Sequence, residues 1–111
     1  MSQKYGNRKV TLDGRMFDSQ REARRYAELK WLLRAGEISN LQCQVAYELI
    51  PQQRDTQGKV VERPVKYIAD FVYQEKNGNT VVEDVKGMRT KEFIIKRKLM
   101  LWRHGIRVIE I

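Results

Sequence analysis

Cysteine, histidine and proline are nearly missing from this 111-residue chain, which holds one Cys, one His and two Pro. A single thiol, Cys43, excludes an internal disulfide framework and a cysteine-built zinc site, and it fits a reducing cytoplasm. No apolar run approaches the roughly 18 residues that a membrane span requires, so no membrane partner is expected. Met1 to Val10 is polar and basic with no apolar run behind it, which predicts no signal peptide. On these grounds a secreted, membrane-embedded or disulfide-scaffold protein is not expected. Also missing are Ser/His/Asp and Cys/His constellations, a Walker loop, Rossmann glycines and any base-reading zinc finger or recognition-helix motif. Acid is scarce relative to base: 14 Asp and Glu stand against 22 Lys and Arg, for a net charge of +8.

What the chain does have is enough to close a core. Apolar residues make up 41% and charged residues 32%, the balance of a globular domain. The reading is a flexible basic arm over residues 1–9, carrying Lys4, Arg8 and Lys9, followed by one domain over residues 10–111. A positive excess of this size in so small a body favours a polyanionic partner, because neutralising phosphates releases condensed counterions. The plainer alternative is a generically basic protein.

Local signals order the elements. Asp13-Gly14 predicts a small hairpin within Val10–Phe17. Ser19 is a natural N-cap, with Glu22 at capping-box spacing, and Glu22, Tyr26, Leu29 and Leu33 form one helical stripe that ends at Gly36. Gln44–Ile50 reads as a strand that stops at Pro51, and Gln52–Pro64 as a loose hairpin. Lys66–Tyr73 and Thr80–Lys86 flank Asn77-Gly78, a strong hairpin signal. Thr90 caps a second helix running to about His104; Gly105 closes it, and Ile106–Ile111 is a terminal strand. The order is α-β-β-β-α-β, which predicts an α/β domain with a mixed central sheet flanked by a helix on either side.

The informative stretch is Val81-Val82-Glu83-Asp84-Val85-Lys86. Alternation along a strand puts Asp84 and Lys86 on one face and Glu83 on the other. The hairpin partner carries Asp70 within the run Tyr67-Ile68-Ala69-Asp70-Phe71-Val72-Tyr73. A carboxylate buried alone costs several kcal/mol unless it is paired or ligates a metal. Two acids converging on one point repel, and a hard divalent cation relieves that repulsion. Mg²⁺, with Mn²⁺ as its substitute, suits Asp70, Asp84 and the Val85 carbonyl, completed by waters and a phosphate oxygen. Lys86 can orient a nucleophile or stabilise charge on phosphorus.

With Asp70, then Asp84-Val85-Lys86 on the next strand, the chain resembles the PD-(D/E)XK nuclease superfamily, and is most similar to compact phage-type members such as junction-resolving endonucleases. The resemblance covers roughly Phe17 to Ile111 and includes the helix-borne Glu22; Ala69 stands where the name-giving proline would be. It implies a restriction-endonuclease-like core and a Mg²⁺-dependent endodeoxyribonuclease, phage or prophage encoded. Such an enzyme works in DNA recombination, repair or processing, with Holliday junctions among the branched substrates, in the cytoplasm of a bacterial host. Asp70 and Asp84 would be metal ligands, Lys86 the catalytic lysine, and Glu22 a further ligand or water-orienting group. Glu83 should not be a ligand. Enzymes that cut both strands often pair two active sites, which makes a homodimer a candidate assembly.

Each residue also has a plainer reading. Glu22 completes a capping box, and Asp70 with Lys86 can be a buried ion pair of no catalytic meaning. Asp84 can be a solvent-facing edge residue. His104, near a helix C-terminus, is expected to meet the carbonyl end of that helix, and Cys43 to pack. Trp31, Trp102, Tyr26 and Phe93 lie at helical spacings that argue for core before base stacking. Gln44, at the start of the first strand, is a candidate to touch the site or a phosphate. Arg89, Lys91, Lys96, Arg97, Lys98 and Arg103 surround the second helix with only Glu92 opposing them, and read as a phosphate-tracking surface rather than a merely solvated face. The rival functions are a non-catalytic DNA-binding module on a nuclease-like core, and a basic RNA- or protein-binding domain.

Overall fold

The computed structural model describes residues 9–86 and 88–111; Lys4, Arg8 and Gly87 lie outside the described residues. The chain opens on a hairpin of β1 (Val10–Leu12) and β2 (Arg15–Phe17), paired antiparallel. Asp13 and Gly14 take φ of 52° and 75°, two left-handed residues in succession, whose twist matches the flanking strands. The helix α1 (Gln20–Arg34) follows, and the Ser19 side chain accepts a hydrogen bond from the Glu22 N–H at 3.1 Å. Its buried residues are Glu22, Ala23, Tyr26 and Leu29, with Leu33 only half-buried. Tyr26 packs on Phe17 of β2, ring centroids 5.0 Å apart.

β3 (Ile38–Ile50) is longer than the expected strand, which began at Gln44. From Leu41 to Leu49 its residues alternate between inward and exposed, the signature of a half-buried strand. Asn40 and Gln44 both adopt φ of 54°, a left-handed backbone that polar residues tolerate better than β-branched ones. The segment after Pro51 is the loose hairpin expected: β4 (Gln53–Arg54) and β5 (Val60–Glu62), antiparallel and exposed. Asp55 holds its turn by accepting from the N–H groups of Gln57 and Lys59, each at 2.9 Å.

β6 (Val65–Glu75) and β7 (Thr80–Asp84) are joined by the Asn77-Gly78 turn, where the Gly78 N–H donates to the Glu75 carbonyl at 2.8 Å. So short a link between neighbouring strands makes them antiparallel. β7 ends at Asp84, two residues earlier than expected, so Lys86 lies past the strand end. α2 (Lys91–His104) starts at Thr90, whose hydroxyl accepts from the Phe93 N–H at 3.0 Å, and ends at Gly105 in the left-handed region. β8 (Ile109–Glu110) returns parallel to β7, with Asp84 opposite Glu110. The sheet is therefore mixed, in the order β3-β6-β7-β8.

Contacts group the chain into two compact units. One comprises residues up to Leu41 with Tyr73–Thr80, the other Gln42–Val72 with Val81–Ile111. In the second, α2 places Phe93 and Met100 against Leu49, Tyr67, Ala69, Val72, Val82 and Val108. No helix among the described residues is long and apolar enough to cross a membrane.

The tryptophans are a correction. Trp31 is 70% and Trp102 79% exposed, whereas Tyr26 and Phe93 are buried as expected. Each helical residue advances about 100°, so Trp102 stands 200° round the axis from Met100 and faces away from the core. Trp31 is likewise off the stripe that buries Tyr26 and Leu29, and the Arg34 guanidinium lies 5.8 Å above its ring.

Candidate active site

Asp70 sits in the middle of β6 and Asp84 at the last position of β7. Asp70 is well supplied with donors. Its Oδ2 accepts from the Val85 N–H at 2.8 Å, and its Oδ1 from the Gln44 side-chain amide at 3.3 Å. Gln44 thus reaches the site from the position where β3 adopts its left-handed backbone. The Val85 N–H also ties the exit of β7 to β6, which carries the chain round so that Lys86 can fold back.

Asp84 is 1% exposed, which removes the solvent-edge reading. The Lys86 ammonium lies 2.8 Å from Asp84 Oδ2 and 4.5 Å above the Phe93 ring centroid. Although so near the ammonium, Asp84 Oδ2 makes no hydrogen bond of good geometry. Burial and the adjacent Asp70 carboxyl push the Asp84 pKa up to about 7; Lys86 pulls it down without cancelling them. The buried Tyr67 phenol is pushed far above its ordinary value by burial and then by Asp84 and Asp70. Two acids and one amine therefore converge, as expected, but the amine lies beyond the strand rather than on its face.

Among the described residues no group of three or more His, Cys, Asp or Glu side chains clusters as a metal-holding set. The donors that converge are two carboxylates and the backbone beside them. That set fits a hard divalent cation completed by water and phosphate oxygens, the coordination Mg²⁺ favours. The buried Asp84 oxygen without a good hydrogen bond, in a site where two acids outnumber one ammonium, points the same way.

Glu22 belongs to the other compact unit, where it is buried in the first turn of α1 and its N–H is capped by Ser19. Glu83 is 1% exposed and makes an interaction of its own. His104 does not meet the end of its own helix. Its Nε2 lies 2.6 Å from the Glu48 carbonyl on β3, and its ring packs edge-on against Tyr47. Cys43 is half-buried.

The basic surface also needs correction, because Glu92 is not the only opposing charge. Glu110 takes Arg89 at 2.6 Å and Arg97 at 3.2 Å, and Glu48 takes Arg103 at 3.2 Å. Lys96 pairs with Glu92 one turn away at 3.2 Å. Lys9, Lys91 and Lys98 stand exposed. Tyr67 was overlooked in the sequence, where it reads as one more aromatic in an apolar strand. The available signal was that a buried tyrosine needs a partner for its hydroxyl.

Neither the curated proteins nor the solved structures give a match to the chain. A family model described as a protein of unknown function (DUF1064) matches residues 2–107, nearly the whole length, and the protein belongs to that family.

Proposed function

We propose that the protein is a Mg²⁺-dependent endodeoxyribonuclease of the PD-(D/E)XK type, with α1, β3, β6, β7, α2 and β8 as a restriction-endonuclease-like core. The observation that carries this reading is the meeting of Asp70, Asp84 and Lys86, with the ammonium 2.8 Å from a buried carboxylate oxygen. Asp70, Asp84 and the Val85 carbonyl would hold the cation. A cation held there would supply Lewis-acid chemistry, lowering the pKa of a coordinated water and offsetting charge on the phosphate. Gln44 and the Val85 N–H keep Asp70 in a fixed orientation. Lys86 exchanges its contact with Asp84 for the attacking water or a phosphate oxygen, as a mobile point charge can.

The outer face of α2 supplies the DNA contact. Lys91, Ile95, Lys98 and Trp102 follow one another at i, i+4, i+7 and i+11, all exposed. Lysines on such a face track phosphates without reading sequence, and a free indole can stack on an unpaired base. Lys96, Arg97 and Arg89 join only by giving up their present partners. Branched DNA, recombination or repair in a phage or prophage setting, and a homodimer in a bacterial cytoplasm complete the proposal.

Supercoiled plasmid and a synthetic four-way junction, incubated with Mg²⁺ or with EDTA, test it. Metal-dependent nicking that disappears in Asp84→Ala and Lys86→Ala is the expected result. DNA that is shifted but intact in every lane identifies a binding module instead. Stronger competition by RNA at matched salt points to the RNA-binding rival.

A further inference from the structure

Among the described residues, two buried side-chain polar atoms lack a hydrogen bond of good geometry: the Tyr67 hydroxyl and Asp84 Oδ2, the latter 2.8 Å from the Lys86 ammonium. They belong to one place: Tyr67 and Lys86 line the same cleft, the Lys86 ammonium lies against Asp84, and the phenol is in the fields of both the Asp84 and the Asp70 carboxyls. Tyr67 is 3% exposed on β6, its ring 6.5 Å from Phe93, the residue that lies beneath the Lys86 ammonium. It also forms part of the wall of a cleft of about 230 Å³, together with Lys86 and Lys96.

A buried polar group left unpaired is destabilising, because it has lost its water without gaining a partner. Phenylalanine at position 67 would keep the ring and its packing and remove that cost. The chain instead keeps a hydroxyl in the field of a buried acid whose Oδ2 has only the Lys86 ammonium close by, without a hydrogen bond of good geometry. A hydroxyl hydrogen rotates freely to suit its acceptor, and a phenol donates well to a carboxylate.

We propose that Tyr67 is a positioning residue for Asp84: its O–H donates to the Asp84 carboxylate and sets which oxygen faces the metal. The inference rests on the nuclease reading and adds to it a residue outside the ligand set. Partners of this kind orient the ligating carboxylate, and their loss typically weakens metal binding by 10–100-fold. Tyr67 does not touch the substrate, so its removal acts on the metal and not on the DNA.

The test is Mn²⁺ titration by calorimetry without DNA, on the wild-type chain, Tyr67→Phe and Asp84→Asn. Tyr67→Phe should bind Mn²⁺ at least about tenfold more weakly. Its affinity for DNA in EDTA should be unchanged, and its metal-free melting temperature equal to or above that of the wild type. Cleavage by Tyr67→Phe should recover as Mn²⁺ is raised, which a damaged fold would not allow. Equal Mn²⁺ affinity in Tyr67→Phe and wild type overturns the inference while leaving the nuclease reading intact. A wild-type chain that binds no Mn²⁺ overturns the nuclease reading itself.

Discussion

Glu83 and Asp84 are chain neighbours on the two faces of β7, and each is 1% exposed. Burial does not distinguish them. Glu83 makes its own interaction, whereas Asp84 faces a second acid, has one oxygen without a good hydrogen bond, and is pushed up to about 7. A buried acid that the fold has already provided for is structural. One that stays strained by burial and a second acid even with an ammonium beside it is a candidate for chemistry.

The largest expected effect tests that contrast directly. Asp84→Asn should reduce Mg²⁺-dependent cleavage by about 100- to 1000-fold, the order seen when one preorganised charge-stabilising group is removed. Its DNA affinity in EDTA should hold or rise, because a negative charge has been deleted beside a polyanion. Glu83→Gln should keep most of its cleavage and instead lower the melting temperature. A plasmid-nicking time course with both variants decides it, and loss of cleavage in Glu83→Gln with retention in Asp84→Asn would move the site to the other face.

The pH dependence of stability comes next. Asp84 holds its proton in the folded state up to about 7, against an ordinary 3.8. The folded chain therefore binds more protons than the unfolded one between those values, and stability falls as pH rises through that window. Below it both states are protonated and the loss is absent; above it the full loss applies. Urea unfolding at pH 4.5 and pH 8 should show this slope in the wild-type chain and a flatter one in Asp84→Asn. Saturating Mg²⁺ should flatten it too, since a bound cation favours the ionised acid.

Gln44 gives a smaller effect. Asp70 keeps its Val85 N–H when the amide is removed, so Gln44→Ala should weaken cleavage by about tenfold and be partly rescued by more Mg²⁺. No change in the Mg²⁺ dependence of Gln44→Ala would make the amide a bystander.

Local chemistry was legible in the chain, and long-range pairing was not. Asp13-Gly14, Ser19, Asn77-Gly78, Thr90 and Gly105 each determine their own turn or cap within a few residues, and each does so in the structure. Asp70, Asp84 and Lys86 were readable because a two-residue period and one hairpin suffice to bring them together. Gln44 was named as able to touch the site, and its amide does reach Asp70; Tyr67 was not, because the neighbours of its hydroxyl depend on which side chains a folded sheet sets opposite one another. The acidic partners of the basic surface were hidden for the same reason: Glu110 is 21 residues from Arg89 and 13 from Arg97, and Glu48 is 55 from Arg103. Trp31 and Trp102 show the opposite failure, in which residue type was read as burial although helical angle decides it.

The same distinction, a charge already partnered against one that is not, gives the smallest effect and extends the lesson from acids to cations. Arg97 and Arg89 converge on Glu110 and Lys96 on Glu92, so phosphate contact there must first break an internal pair. Lys91 and Lys98, exposed on the outer face of α2, carry no such debt. Each phosphate neutralised adds about 0.9 to the slope of log affinity against log salt. Lys91→Ala with Lys98→Ala should therefore lower that slope by nearly two, and Arg89→Ala with Arg97→Ala by clearly less, although equal charge is removed. Fluorescence anisotropy of a labelled duplex in EDTA, from low to moderate salt, reads both slopes. Equal slopes in the two double variants would mean that Glu110 releases its arginines to DNA at little cost, and that internal pairing is then no guide to which surface cations bind.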